Sequence, residues 1–231
     1  MPDRPVVSVI VPSRYCLAWL LRAIASIGRT PDTEIVILHD GSLDGSRDWL
    51  GRAAQSETRL CVLVGPGAGP PKARNMAIGV ARGRLLAFLD AEDSWHRGKL
   101  EAQLALHRDS PDLVFSFTDY RDVGVDGAAL TTGFAAWPWF HNRHAARTDP
   151  YVLEDDALAQ VFAAPVVATS TVVAGPTWCV GLAASTQPCR QPRTGICGCA
   201  WRRVAKLVAY RRSSPTMWFT QSRWPPTCAG G

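Results

Sequence analysis

The sequence predicts an α/β fold, a twisted, mostly parallel sheet flanked by helices over residues 5–174, followed by an unpatterned tail over residues 175–231. Three observations predict it. Short β-branched apolar runs alternate with segments of helical spacing, turn-forming and polar residues close those runs, and both periods stop after Ala174. Strands that alternate with helices of this length form βαβ units, which build parallel sheet.

The elements follow in order. Val6–Val11 is a buried strand by its continuous apolar, β-branched character. Leu17, Leu20, Leu21, Ile24 and Ile27 recur at helical spacing, and Gly28 suits a C-terminal cap. Ile35–Leu38 is a second strand, closed by the turn His39-Asp40-Gly41-Ser42. Ser46–Ala54 predicts a helix, Leu60–Val64 a strand, Gly65–Pro71 a loop and Lys72–Ala81 a helix. Leu85–Leu89 and Leu113–Phe117 are further strands, with a helix at Lys99–Arg108 between them. Residues 124–149 read as irregular, Ala157–Ala163 as a short helix and Val166–Val173 as a strand.

The 231 residues suffice for one substantial domain with an appendage, and 47% apolar with 19% charged residues is ordinary for a soluble globular chain. The net charge of +5 conceals two regions. Residues 1–174 carry 17 basic and 20 acidic side chains; residues 175–231 carry eight basic and no acidic ones, with five of the seven cysteines. No run approaches the roughly 20 apolar residues that span a bilayer. The N-terminus lacks a basic segment followed by a long apolar stretch, so a cytoplasmic protein is expected.

Ligands of parallel α/β sheets bind beyond the carboxyl ends of the strands, which directs attention to Ser13, Asp40 and Asp90. Three segments around these positions, VSVIVPSRYCLAWLLRAIASI, EIVILHDGSLDGS and KARNMAIGVARGRLLAFLDAEDSW, together resemble the family 2 glycosyltransferases over roughly residues 5–174. The resemblance implies a GT-A-type, Rossmann-like fold and transfer of a sugar, with inversion, from a nucleotide-diphosphate donor to an acceptor hydroxyl. A Rossmann dinucleotide enzyme would carry a Gly-x-Gly-x-x-Gly loop after the first strand; Pro12–Trp19 contains no glycine.

The resemblance also assigns residues. Asp40 matches the family's contact to the nucleotide base, with His39 standing where a second Asp is usual; by itself an Asp before Gly41 is equally a turn-former. Pro12, Ser13, Arg14 and Tyr15 correspond to the loop whose aromatic packs on the base. Here Arg14 occupies the aromatic's slot, so its guanidinium plane or Tyr15 would stack, or Arg14 is an ordinary surface residue. Arg74 and Asn75 match the family's Ala-Arg-Asn element near the donor diphosphate, at a helix start suited to anions. Asp90 and Ala91 fall at the donor in the family's DxD region. Asp90 and Glu92 would hold Mg²⁺ or Mn²⁺ as a divalent cofactor, with Glu92 replacing the usual Asp and reaching one methylene further.

The family's general base, on an acidic helix start after Gly-Gly-Phe-Asp, has no counterpart, since no acid follows Asp156. No catalytic residue is therefore assigned. Synonymous codons chosen for Gly175–Trp201, read from the third base, spell Thr-Gly-Gly-Phe-Asp and then Glu-Asp-Trp-Asp-Leu-Trp, the missing segment. This points to a +2-equivalent shift of frame near Ala174–Gly175, in the gene or its sequencing. Cys189, Cys197, Cys199 and Cys228 fit no common zinc spacing, and no nucleic-acid partner is expected from the basic tail. The expected partners are a nucleotide sugar and an unidentified hydroxyl acceptor. A lipid-linked acceptor would bring the protein to the inner face of the membrane. The alternative is a catalytically dead nucleotide-binding remnant.

Overall fold

The structure is a computed structural model, and it describes residues 4–14, 16–30, 32–67, 69–124, 126–147, 150–153, 156–175, 207–210 and 220–222. Its first half runs β1 (Val7–Ser13), α1 (Leu17–Ile27), β2 (Thr33–His39), α2 (Ser46–Ser56), β3 (Leu60–Val64), α3 (Pro70–Val80) and β4 (Leu85–Phe88). There follow β5 (Asp93–Ser94), α4 (Lys99–Asp109), β6 (Phe115–Thr118), β7 (Arg121–Val123), β8 (Ala129–Thr132), α5 (Pro138–Arg143) and β9 (Tyr151–Leu153). Then come α6 (Ala157–Ala163), a 3₁₀ turn (Thr169–Thr171), β10 (Val173–Ala174), β11 (Leu207–Tyr210) and β12 (Thr220–Ser222).

The main sheet has the order β3-β2-β1-β4-β10-β6-β11-β9. Strands β3, β2, β1 and β4 are parallel, with Val7 opposite both Thr33 and Leu85. β10 runs antiparallel between β4 and β6, and β9 antiparallel to β11. The chain moves outward from β1 to β3 and then returns to the other side of β1 as β4. That reversal opens a crevice at the carboxyl ends of β1 and β4, where ligands of such sheets bind.

All seven residues of β1 and of β2 are buried because helices cover both faces. Val7, Val9 and Val11 pack with Ile35 and Ile37 against Leu20, Ala23 and Ile27 of α1 and Leu50 of α2. Ile10, Val36 and Leu38 face the other way, toward Ala73 and Ala77 of α3 and the aromatic group Phe115, Phe117, Phe134 and Phe140. At the opposite end of the strands from the crevice, Ser8 Oγ donates to Glu34 (2.5 Å), and Arg82 reaches Glu34 through its amide (2.9 Å) and Nε (2.7 Å). Gly83 completes this knot: a Cβ there would lie 2.3 Å from the Ser8 nitrogen.

Three segments differ from the sequence expectation. Val166–Val173 is not one strand: residues 169–171 turn as a 3₁₀ helix, and the strand is confined to Val173–Ala174. The region 124–149 contains a strand at Ala129–Thr132, paired with β7, and a helix at Pro138–Arg143. The tail, read as unpatterned, contributes β11, beside β6, and β12, in a second sheet of order β5-β12-β7-β8. Leu207–Tyr210 is itself a short apolar, β-prone run, which explains its pairing. Cys189, Cys197, Cys199 and Cys228 lie outside the described residues. Among the described residues no helix is long and apolar enough to cross a membrane.

Candidate active site

The site is assembled at the carboxyl ends of β2, β1 and β4, where backbone polarity runs out of ladder partners. Ser13 closes β1, and its carbonyl accepts the Asp40 N–H at 2.8 Å, which ties the first two loops together. Pro12 and Ser13 are buried strand residues rather than an exposed loop, and Arg14 is the first exposed position after them. Tyr15 lies outside the described residues.

Asp40 is buried, and it organises the loop between β3 and α3. Its Oδ1 accepts the Gly67 N–H at 2.8 Å and its Oδ2 accepts the Gly69 N–H at 2.7 Å. Both glycines have φ values in the left-handed region, 77° and 87°, where a side chain would be strained. The turn-former reading of Asp40 is thus realised across chain segments rather than locally. A carboxylate offers about four acceptor sites, so this anchoring is compatible with an edge contact to a base.

His39 does not turn toward the crevice as a second acid would. Its Nε2 is paired with Ser46 Oγ (2.8 Å) and Ser42 Oγ (2.9 Å), all three residues being buried. Asp44, unflagged in the sequence, joins this group. It accepts from the Ser46 amide (3.2 Å) and hydroxyl (2.5 Å) and from the Leu17 N–H that opens α1 (2.9 Å). Partial burial opposes its ionisation, but the Ser46, Ser42 and Leu17 donors outweigh it and hold the carboxyl below its ordinary range. An Asp two residues before a Ser is a local hydrogen-bonding signature that could have flagged it.

The start of α3 modifies the anion-binding expectation. Of the four first-turn N–H positions, that of Gly69 goes to Asp40, Pro70 and Pro71 have none, and only Lys72 keeps one. The helix N-terminus is therefore a poor phosphate cradle, and the charge must come from side chains. Arg74 provides it. Its Nη2 forms an ion pair with Asp90 Oδ1, the two side chains being 13% and 20% exposed. Asn75, the next residue, is exposed. Helix α3 thus begins on Asp40 and reaches Asp90 one turn later, which brings the second and third motifs to one crevice.

After β4 the chain turns through Asp90-Ala91-Glu92-Asp93. Ala91 and Asp93 are buried, whereas Glu92 is exposed. Asp93 faces inward and accepts from Ser170 Oγ at 2.7 Å, while its Oδ1 has no partner among the described residues. Burial, then the Asp90 charge, push the Asp93 carboxyl well above its ordinary range, against the Ser170 hydroxyl. Desolvation by the surrounding protein and then the Asp90 charge also raise the Glu92 carboxyl, against its own backbone amide and the Arg74 charge. Trp95 is buried, its indole N–H donating to the Ser170 carbonyl at 2.7 Å.

Among the described residues no group of three or more His, Cys, Asp or Glu is gathered. A Mg²⁺-type ion commonly takes one or two carboxylates and completes its octahedron with phosphate oxygens and water. Asp90 and Glu92 fit that requirement in number and chemistry, while Asp93 is turned away from it.

The switch point, with a strand-end acid after β2 and another after β4, belongs to an α/β fold of the GT-A type. The chain belongs to the Glycosyl transferase family 2, whose profile matches residues 8–159. It is 36% identical over 130 residues to the putative teichuronic acid biosynthesis glycosyltransferase TuaG of Bacillus subtilis, covering 55% of this chain and 51% of that one. It is 29% identical over 117 residues to the UDP-Glc:alpha-D-GlcNAc-diphosphoundecaprenol beta-1,3-glucosyltransferase WfaP of Escherichia coli, covering 50% of this chain and 46% of that one. The chain spans about half the length of these curated relatives. In fold it is similar to S. aureus TarS 1-349, solved in complex with UDP-GlcNAc, with a TM-score of 0.68 at 14% identity, over 95% of this chain and 59% of that one.

Proposed function

We propose that residues 5–174 form the donor-binding part of an inverting glycosyltransferase that transfers a sugar from a nucleoside-diphosphate carrier to an acceptor hydroxyl. The observation that carries this reading is the joining of Asp40 and Asp90 through one helix, by the Gly69 amide at its start and Arg74 one turn on. A nucleoside would lie at Asp40 and the Ser13–Arg14 strand end. The diphosphate would lie along Arg74 and Asn75 toward Asp90, Ala91 and Glu92. Asp90 and Glu92 would hold the cation, Mg²⁺ or Mn²⁺, which supplies neutralisation of the charge developing on the departing nucleoside diphosphate.

A UDP-sugar is the first donor to test, because the Escherichia coli relative is named for UDP-Glc and the structure of TarS is of a UDP-GlcNAc complex. The same relative's lipid-diphosphate acceptor motivates a hydroxyl acceptor at a membrane surface. A thermal-shift screen of UDP, GDP and dTDP, with and without manganese, tests the reading. Stabilisation by one nucleotide, larger with manganese, is expected; no stabilisation by any of them contradicts it.

A second reading is favoured by one observation, the absence of any Asp or Glu after Asp156. Without a base the chain would bind donor and fail to transfer the sugar, as a remnant of a gene whose frame shifts near Ala174–Gly175. Sugar transfer to an acceptor by the purified 231-residue chain would contradict that reading.

A further inference from the structure

Ser170 lies outside every motif that led to the site, yet it touches the acidic turn at two points and Trp95 beyond it at a third. Its hydroxyl accepts the Asp90 N–H at 2.9 Å and donates to Asp93 Oδ2 at 2.7 Å, while its carbonyl accepts the Trp95 indole N–H at 2.7 Å. The residue is 1% exposed. It sits on the 3₁₀ turn that leads into β10, and β10 is locked between β4 and β6, with Val173 opposite both Ala87 and Ser116. The Val172 carbonyl also accepts the Phe88 N–H at 3.2 Å, directly before the turn. Trp95 is fixed from its other side by Lys99, whose Nζ lies 4.2 Å from the ring centroid.

We infer that Ser170 is a positioning residue for donor binding: by holding the backbone of Asp90 and the side chain of Asp93 at once, it aims the Asp90 carboxylate at the cation and diphosphate. The inference rests on the donor-binding reading above. A serine suits the task because one hydroxyl both accepts and donates. Turning Asp93 inward also removes it from the donor set, which leaves Asp90 and the exposed Glu92 as the carboxylates for the cation. Groups that orient a metal-binding carboxylate without touching the metal typically matter about 10- to 100-fold in affinity.

The test compares the full-length wild type with Ser170→Ala and the near-isosteric Ser170→Cys, titrating UDP with and without Mn²⁺, and uridine alone. Hydrogen exchange of the Asp90 amide is followed in parallel. In both variants the manganese-dependent gain in UDP affinity is expected to fall about tenfold, uridine binding at the Asp40 end to stay as in wild type, and the Asp90 amide to exchange faster. The inference is overturned if UDP binds the variants with manganese as it binds the wild type. It is also overturned if uridine and UDP weaken equally in both variants, which would mark Ser170 as a structural residue only. Failure of the wild type itself to bind UDP and uridine would instead sink the donor-binding reading on which the inference stands.

Discussion

Arg74 and Asp90 form an ion pair although they come from different elements, one from the first turns of α3 and the other from the turn after β4. The pair is partly buried, the two side chains serving as each other's counter-ion. A cation and a diphosphate introduced into the crevice would offer Asp90 a new positive partner and Arg74 a new negative one. The two side chains are thus held, without donor, in a state that the donor's own charges can replace.

Asp40 supports the loop before α3 with both oxygens, and Asn has one acceptor oxygen in place of two. Asp40→Asn sets its NH₂ group against a glycine N–H. A buried donor left unsatisfied costs about 1–3 kcal/mol, so urea denaturation should show a loss of that size. Uridine affinity should fall with it. Unchanged stability would mean that the Gly67 and Gly69 contacts are dispensable.

Lys99 is fully buried, its ammonium donating to Gln103 Oε1 at 2.7 Å, and burial lowers its pKa to about 7. Below pH 7 the folded and unfolded chains both hold the proton and the penalty of burying the charge is present in full. Between pH 7 and 10.5 the unfolded chain holds more protons, so stability rises with pH. The full gap corresponds to on the order of 5 kcal/mol, an upper figure because the Trp95 face and the Gln103 carbonyl both favour the cation. The stability of wild type relative to Lys99→Met should therefore climb from pH 7 to pH 10; a flat difference would contradict the burial of a titrating lysine.

Gly83 fixes the far end of the sheet. Its amide donates to Ser8 Oγ at 2.8 Å, and an added Cβ would meet the Ser8 and Val7 backbone at 2.3 and 2.6 Å, where nothing flexible can yield. Gly83→Ala should destabilise the fold by at least about 1–3 kcal/mol in chemical denaturation. Nucleotide affinity of the remaining folded fraction should be unaltered, since the site lies at the opposite strand ends.

A shift of frame can be tested without the protein. Resequencing the coding DNA across Ala174–Gly175 should reveal codons that spell the acidic segment in the third-base frame. Codons unable to do so would remove the shift of frame as the reason that no acid follows Asp156.

Much of this architecture was legible in the sequence. Val7–Val11 and Ile35–Leu38 are buried on both faces, so their apolar runs are continuous, and the α1 stripe from Leu17 to Ile27 ends at Gly28 in the structure as well. Other parts were hidden for physical reasons. The β-branched run around Ser170 imitates a strand, but its central residues bend to serve the acidic turn. Residues 129–132 are largely exposed and lack the alternation that betrays a half-buried strand. The three acids of Asp90-Ala91-Glu92-Asp93 look equally solvated in one dimension; that Asp93 turns inward depends on a serine 77 residues away. The shortage of N–H groups at the start of α3 could have been read from Pro70-Pro71 alone.

Calorimetric titration of UDP into wild type and Asp90→Asn, with and without manganese, tests most directly whether Asp40 and Asp90 serve one donor. The wild type should bind UDP more tightly with manganese, and Asp90→Asn should lose most of that gain while keeping its metal-free binding of uridine. A wild type that binds no UDP, or an Asp90→Asn variant that responds to manganese as fully as the wild type, would contradict a shared donor site.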